Sequence, residues 1–499
     1  MKDPIKTYDA RWEVDDFDDG EVLRLFEATF GYAALIGIDT LIFTRDARLG
    51  CARVMEIGIE AALKAGFHAI ACFDPISTPL SYFVAMQLAH NQKKAMGLTI
   101  TASHNPKQYV GIKYTIPGVE AIGFDCGPMG GLTKVKELYH ASTYVQEYGK
   151  TGTLQVISHP AEAYIKYSME LAGVQPNDFK GIKIVLDTFN GSAGPELYQA
   201  LTRCGAKVIP LRLVPNGEFP TGSPNPTSMK KMDQAIEVAV KEDADLVLGI
   251  DGDGDRIVFG DQKGIFCAGF VMIPILHAIL TKEPSNNRQK VLYDPKVNPL
   301  ALAKWAELNA EPILFRNGHS QIKGYMKEIG AIAGAEESGH FYHKLPLENL
   351  QVSGENSLFT ILLFLQTLKN QKDILAKVRQ MQDQIYTSGE FNYYYSNEQQ
   401  QDKALSAVIR FFEDKKAIMS TKSDDGIELE GTVVYKGVRK INGSILLENE
   451  WFAAYVRTAT NEKGIVRSYI SSGDHFYGKG ITEKVIGILK DEFGGTEVE

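Results

Sequence analysis

The chain has 499 residues, 44% of them hydrophobic and 23% charged, with a formal net charge of -9. That length and apolar content support a large core divided into about three or four domains. The acidic balance excludes the broad attraction to DNA, RNA or anionic membrane that needs an excess of Lys and Arg. The five scattered cysteines include no CxxC pair; they suggest neither a disulfide framework nor a thiolate zinc site and fit a reducing cytoplasm.

The amino-terminal stretch MKDPIKTYDARWEVDDFDD is acidic where a signal peptide would carry a basic start and an apolar run. From Glu21 helix-period and strand-like segments alternate, which predicts α/β layers with mainly parallel sheets. Strands are expected at Thr40 to Asp46, His68 to Phe73 and Ala95 to Thr101, the last entering the polar loop TASHNP. A second unit repeats the plan with Lys183 to Asp187, Lys207 to Leu213 and Ala244 to Ile250, and ends in DGDGDR. A third runs through Lys290 to Asp294, Glu311 to Arg316 and Ala331 to Ala335 into EESGH. The apolar stretches from Phe270 and Ser357 fall short of the roughly 20 residues that span a bilayer and read as buried helices. A helical run from Glu355 to about Gln384 precedes strand-like FNYYYS, GTVVYKG, SILLE and WFAAYVR. The expected architecture is three similarly wound α/β domains plus a smaller C-terminal α+β domain around a central cleft, with boundaries at 1–160, 161–263, 264–352 and 353–499.

Each odd loop carries a chemical pattern. In Asp251-Gly-Asp253-Gly-Asp255-Arg256, carboxylates at every second position let a tight loop turn three hard oxygen ligands to one divalent cation, magnesium by preference. An EF-hand would need glycine at Arg256 and glutamate at Gln262. The competing reading is an ordinary solvated turn. Ser103, at a strand end beside His104 and ahead of Lys113, is placed to carry a phosphoryl group, although Ser-His-Asn-Pro is also plain turn chemistry. Glu336, Glu337, Ser338 and His340, preceded by His319, offer the acceptors and donors that recognise vicinal sugar hydroxyls; solvated acids and a structural histidine are the alternative. Arg457, followed by hydroxylic residues and Lys463, suits a phosphate or a surface turn. The stretch Gly473 to Gly480 matches a P-loop except for glycine in place of the magnesium-binding hydroxyl, and reads as a strand-to-helix turn.

TASHNP, DGDGDR and EESGH, in this order and at these intervals, resemble the α-D-phosphohexomutase superfamily, most closely its bacterial phosphomannomutase/phosphoglucomutase branch; FNGSAG and NGEFPTGSPNPT add to the likeness. The resemblance implies a phosphohexomutase interconverting hexose 1- and 6-phosphates of mannose or glucose. It makes Ser103 the phosphoserine, and Asp251, Asp253 and Asp255, with Ser103, the ligands of one Mg2+. Arg11 and Arg256 would contact the moving phosphoryl group, and His104, Lys113 and His340 handle protons. Glu336, Ser338 and His319 would bind the sugar, and Arg457 its distal phosphate. A hexose 1,6-bisphosphate is the implied intermediate and activator, and the expected form is a cytoplasmic monomer or homodimer without nucleic-acid or membrane partners. The chain departs from the family pattern at Ala10, Trp12, Val110, Ala335 and Ala459. Ala459 removes a hydroxyl from the phosphate loop and leaves Thr458, Thr460, Asn461 and Lys463 as its donors to substrate. Two alternatives follow: a phosphoglucosamine mutase, and a phosphosugar-binding protein with impaired turnover.

Overall fold

Strand Thr40–Arg45 is buried over its first five residues, as a parallel strand covered by helices on both faces must be. The computed structural model describes residues 3–90, 94–124, 126–141, 151–282, 284–441, 443–459 and 463–498. Thr40–Arg45 lies inside a mixed sheet in the order Ala10–Glu13, Tyr109–Ile116, Ala95–Ile100, Thr40–Arg45, His68–Pro75, Thr153–Val156. It pairs in parallel with both neighbours, whereas Tyr109–Ile116 returns antiparallel to Ala95–Ile100. The flanking helix Asp19–Leu35 starts from a reciprocal cap: Asp18 accepts the Glu21 amide and Glu21 accepts the Asp18 amide.

A second sheet runs Gly264–Ile265, Ile257–Asp261, Leu246–Ile250, Lys183–Asp187, Lys207–Leu211. Its last three strands are parallel, and Ile257–Asp261 returns antiparallel after the acidic loop. The same device thus recurs: a buried parallel strand enters a polar loop whose far side is an antiparallel strand. The loop is pinned at both ends, which holds its side chains beyond the carboxyl edge of the sheet.

The chain divides into two compact units. The first comprises Met1–Ile265, Gly318–Ile329 and Ser338–Lys369. Besides the two sheets above, it contains helix His319–Ile329, hairpin Phe341–Leu347 with Leu350–Glu355, and most of the apolar helix Ser357–Asn370. Asn356 starts that helix by accepting the Phe359 amide at 2.9 Å, and Phe364 stacks on Phe259 at 4.7 Å between ring centres.

The second unit comprises Phe266–Asn317, Gly330–Glu337 and Asn370–Glu499. Strand Gln289–Tyr293 pairs in parallel with Ala310–Leu314 and with Ala333–Ala335. An antiparallel sheet follows: Ile418–Lys422, Glu428–Ile441, Ser444–Thr458, Ile465–Ser472, Tyr386–Tyr394, Thr496–Val498. SILLE and WFAAYVR, read in sequence as two strands, form one 15-residue strand, Ser444–Thr458. Exposed Glu448 to Glu450 interrupt the apolar pattern without breaking the ladder, because a register shift between Lys436 and Val438 of the partner strand absorbs the irregularity. The helical run expected from Glu355 to Gln384 is two helices, Ser357–Asn370 and Ile374–Asp383. Three sheets with parallel strands and a fourth, antiparallel one make the protein three α/β domains followed by a β-rich α+β domain.

Candidate active site

Ser103 lies in the turn between Ala95–Ile100 and Tyr109–Ile116, with its backbone at φ 52. A serine in the left-handed region costs about 1–3 kcal/mol and persists only where neighbours over-determine it. Arg48, which is fully buried, supplies much of that restraint. Its Nη2 donates to the Ser103 and Asn105 carbonyls at 2.6 Å each, Nη1 donates to Pro106 O at 2.7 Å, and Nε donates to Asp46 Oδ2 at 3.0 Å. Asp46 Oδ2 also accepts Thr101 Oγ1 at 2.7 Å, and Thr101 Oγ1 in turn accepts the Ser103 amide at 2.9 Å. Gly252 is needed at the opposite wall, since a Cβ there would lie 2.6 Å from Ser103 O.

So held, Ser103 Oγ donates to Asp251 Oδ2 at 3.0 Å and lies 3.3 Å from His104 Nδ1. Asp251, Asp253 and Asp255 are at most 1% exposed, and one oxygen from each falls within 4.8 Å of the other two. Lys113, the cross-strand partner of Thr99, reaches into this group and donates to Asp253 Oδ2 at 2.7 Å and Asp255 Oδ2 at 2.5 Å. Thr78 Oγ1 gives Asp253 Oδ2 a further bond at 2.7 Å. Burial and repulsion from Asp253 and Asp255 push Asp251 well above the usual carboxylate range. For Asp255 burial also pushes upward, but Lys113 and Arg256 outweigh it and hold the group low. One ammonium thus bonds two of three buried carboxylates, and among the described residues Oδ1 of both Asp253 and Asp255 is buried without a hydrogen-bond partner. Orphaned hard oxygens on a shared loop are what a small divalent cation needs, so the residues present fit Mg2+.

Arg256 and His340 form an isolated antiparallel bridge, reinforced by the Ile257 amide donating to Gly339 O at 2.9 Å. This joins the acidic loop to the SGH loop, and Arg256 Nε donates to His340 Nε2 at 3.1 Å. Burial, then the charges of Arg256 and Lys113, hold His340 well below its ordinary value. His104 is lowered in the same way by burial, Arg256 and Arg11. Arg11 donates to Asn105 Oδ1 at 2.6 Å and to Asp9 Oδ2 at 2.5 Å, which sets its guanidinium beside the serine turn. His319 begins helix His319–Ile329, and both of its ring nitrogens are buried without a hydrogen-bond partner among the described residues. Ser338 is half-buried in the first unit. Ser103, His104, Lys113, Arg11, the three aspartates, Arg256 and His340 are therefore linked to one another through direct contacts or shared partners. Lys323, Glu355 and Arg48 belong to the same networks. Sequence reasoning missed these three; only Arg48 left a cue, as the second arginine of TRDAR at a strand end.

The second unit holds the remaining candidates. Glu336 is buried there. Its neighbour Glu337 accepts the Ala268 and Gly269 amides at 2.9 and 3.3 Å and so caps helix Ala268–Lys282. Burial, with Asp294 nearby, pushes Glu337 up to about 7. Arg457 faces Arg467 across adjacent strands. Glu390 accepts Lys296 at 3.1 Å and Arg467 at 2.9 Å, and Lys296 is the main reason its carboxyl is lowered to about 2. Lys296 is a further basic residue that sequence reasoning did not single out. Thr458 is half-buried and Lys463 exposed; Thr460 and Asn461 lie outside the described residues.

The fold is that of the α-D-phosphohexomutase superfamily: a phosphoglucomutase/phosphomannomutase family protein from Burkholderia thailandensis superposes with a TM-score of 0.76 at 20% identity, covering 99% of this chain and 98% of that one. Sequence profiles described as phosphoglucomutase/phosphomannomutase alpha/beta/alpha domains I, II and III match residues 2–123, 162–264 and 270–385. The chain belongs to the phosphoglucomutase/phosphomannomutase family, a group of phosphotransferase and isomerase enzymes. Among its relatives, phosphomannomutase of Escherichia coli K12 is 27% identical over 348 residues, covering 68% of this chain and 72% of the relative. Phosphohexose mutases of Xanthomonas campestris are 26% identical over 430 residues, covering 86% and 88%. Among the described residues, no helix is long and apolar enough to cross a membrane.

Proposed function

We propose that this protein interconverts hexose 1-phosphate and hexose 6-phosphate, mannose or glucose, through a phosphoserine at Ser103. The carrying observation is Ser103 Oγ held 3.0 Å from Asp251 within a buried acidic triad that is short of positive charge. Phosphoserine transfers its phosphoryl group to the free hydroxyl of the sugar monophosphate: the Oγ–P bond breaks, a sugar O–P bond forms, and the hydroxyl proton passes to a base of the site. The 1,6-bisphosphate then turns end for end and returns its other phosphoryl group to Ser103. Asp251, Asp253 and Asp255, with Ser103, would hold Mg2+, which when bound would supply charge neutralisation at the phosphoryl oxygens. Arg256 and Arg11 add donors to the same group, and stabilising charge in transit is the main task of a phosphoryl-transfer site. Lys113 holds Asp253 and Asp255 together, and His340, with His104 and Lys113 as the other proton-handling candidates, exchanges the hydroxyl proton. His319, Glu336 and Ser338 are assigned to the sugar hydroxyls, and Arg457, Thr458, Thr460, Asn461 and Lys463 to the distal phosphate.

Support comes from family membership and from the linked contacts of the candidate residues in the first unit. The test is turnover of mannose, glucose and glucosamine 1-phosphates with Mg2+ and a trace of bisphosphate, alongside intact mass spectrometry. Phosphate mapped to Ser103 and product from a hexose phosphate are expected. Turnover of glucosamine phosphate alone would move the substrate to an amino sugar, and binding without product would leave a phosphosugar-binding protein.

A further inference from the structure

His340 receives one side-chain hydrogen bond whose direction is unambiguous. Arg256 Nε is always a donor, so its 3.1 Å contact makes Nε2 of His340 the acceptor, and the proton of the neutral ring belongs to Nδ1. Nδ1 lies 3.8 Å from Asp255 Oδ1 and 3.8 Å from Glu355 Oε1. All three atoms are buried and lack a hydrogen-bond partner among the described residues. One donor thus faces two acceptors that nothing else satisfies.

The two acceptors differ. Asp255 is a candidate ligand of the cation and already accepts Lys113. Glu355 is fixed at one end only: Lys323 donates to its Oε2 at 3.0 Å, and the Tyr82 hydroxyl is 3.2 Å from the same ammonium. That leaves Oε1 as a buried, anchored carboxylate oxygen beside Nδ1. A second cation on these atoms would require the Nδ1 lone pair, whereas the Arg256 contact puts the lone pair on Nε2. It would also sit among Lys113, Lys323 and Arg256.

We propose that Glu355 is a positioning residue: its Oε1 takes the Nδ1 proton of His340 in a hydrogen bond, fixing the tautomer in which Nε2 is the nitrogen offered to substrate. This rests on the mutase reading above. The gap of 3.8 Å exceeds an N–H···O bond by about 0.9 Å, and such contacts are commonly loose before substrate binds. When Arg256 turns to the phosphoryl group, Nε2 is released to take the sugar hydroxyl proton. The N–H bond formed there leaves an imidazolium whose opposite face is held by the Glu355 carboxylate, and the return step gives the proton back to the departing oxygen. A histidine oriented by a carboxylate behind it is the general arrangement of an efficient base.

The test has a spectroscopic and a kinetic arm. In protein labelled with 15N at the histidine rings, the signal missing from His340→Asn should report the Nδ1–H tautomer in the wild type and still in Arg256→Met, where Glu355 alone holds the ring, and shift towards Nε2–H when Glu355→Gln is added to Arg256→Met. The kcat of Glu355→Gln should fall about 100-fold with KM within about threefold. Because that change strips Lys323 of its partner, the charge-balanced pair Lys323→Met with Glu355→Gln is the control: thermal stability should recover while kcat stays low. An Nε2–H tautomer in the wild type, or wild-type kcat in the charge-balanced pair, overturns the proposal. The expected tautomer in a protein without mutase turnover would instead sink the mutase reading and leave the positioning contact standing.

Discussion

Asp251, Asp253 and Asp255 are almost inaccessible and are matched by Lys113 through two short contacts, whereas in the second unit Lys296 and Arg467, 14% and 25% exposed, both pair with Glu390, and Arg457 lies opposite Arg467. The first cluster has an excess of negative charge in a dry place, which a cation and a moving phosphoryl group can complete. In the second, two basic side chains meet one carboxylate and keep part of their surface in water. Electrostatic work differs accordingly: in the buried cluster each charge is strongly felt and a missing partner is costly, while at the edge the same charges contribute mainly affinity. The buried cluster should therefore govern kcat and the basic cluster KM.

The largest effect expected from this division is at the nucleophile. Ser103→Ala should lower kcat by about 10⁴-fold or more while leaving the fold intact, since Arg48 binds the backbone carbonyl rather than the side chain. Phosphate incorporation measured by intact mass should vanish with it, and a variant that still turns over at the wild-type rate refutes the assignment of the buried cluster to chemistry.

Next in size is Lys113→Met. Removing the single ammonium between Asp253 and Asp255 leaves three carboxylates facing one another, at a cost of about 3–5 kcal/mol in the absence of metal. Mg2+ should then raise the melting temperature more in the variant than in the wild type, because a ligand that binds only the folded state adds stability by mass action. Calorimetry with EDTA and with Mg2+ separates the cases; an identical Mg2+ response in both proteins would mean that lysine and metal do not share the site. On the other side of the division, Arg457→Ala should raise KM about tenfold and change kcat by less than about threefold, the signature of lost uniform binding. A fall in kcat with KM unchanged would erase the contrast between the clusters.

The buried cluster was legible because its residues are packed into short motifs: Asp251 to Arg256 and Thr101 to Asn105 each lie in one loop after a strand whose apolar run is visible in sequence. The return strands were less visible, since Tyr109–Ile116 and Ile257–Asp261 look like any buried strand and nothing local says that they turn back. Arg48, Lys323 and Glu355 escaped notice because their partners are remote in sequence: Arg48 meets carbonyls 55 and 57 positions away, and Lys323 meets Glu355 across 32. Single charged residues in amphipathic segments are usually solvated. Glu337 shows the opposite failure: it sits inside a motif that suggests sugar recognition, yet its oxygens are spent on two helix amides.

The smallest effect concerns a buried carboxylate that has no ion-pair partner among the described residues. Glu196 is 5% exposed and its Oε1 accepts a short hydrogen bond from Ser77 Oγ, next to Thr78, which in turn binds Asp253. Burial pushes its pKa from 4.5 up to about 8. Between those values the folded protein keeps a proton that the unfolded chain releases, so this group favours the folded state fully below about pH 4.5, and its contribution is lost as pH rises through about 8. Glu196→Gln mimics the protonated form at every pH. Its stability relative to wild type should be near zero at pH 4.5 and grow to roughly 1–3 kcal/mol in its favour at pH 8.5, read from urea unfolding at both values. A difference that does not change with pH would mean that Glu196 is ionised in the folded protein, and that a buried carboxylate here needs no countercharge. The same comparison made on Asp255 gives the reverse: with Lys113 in place, Asp255 is held low, so its contribution is present at neutral pH and lost on acidification. Two buried carboxylates in one unit thus give stability profiles of opposite slope, one with an ammonium against it and one without.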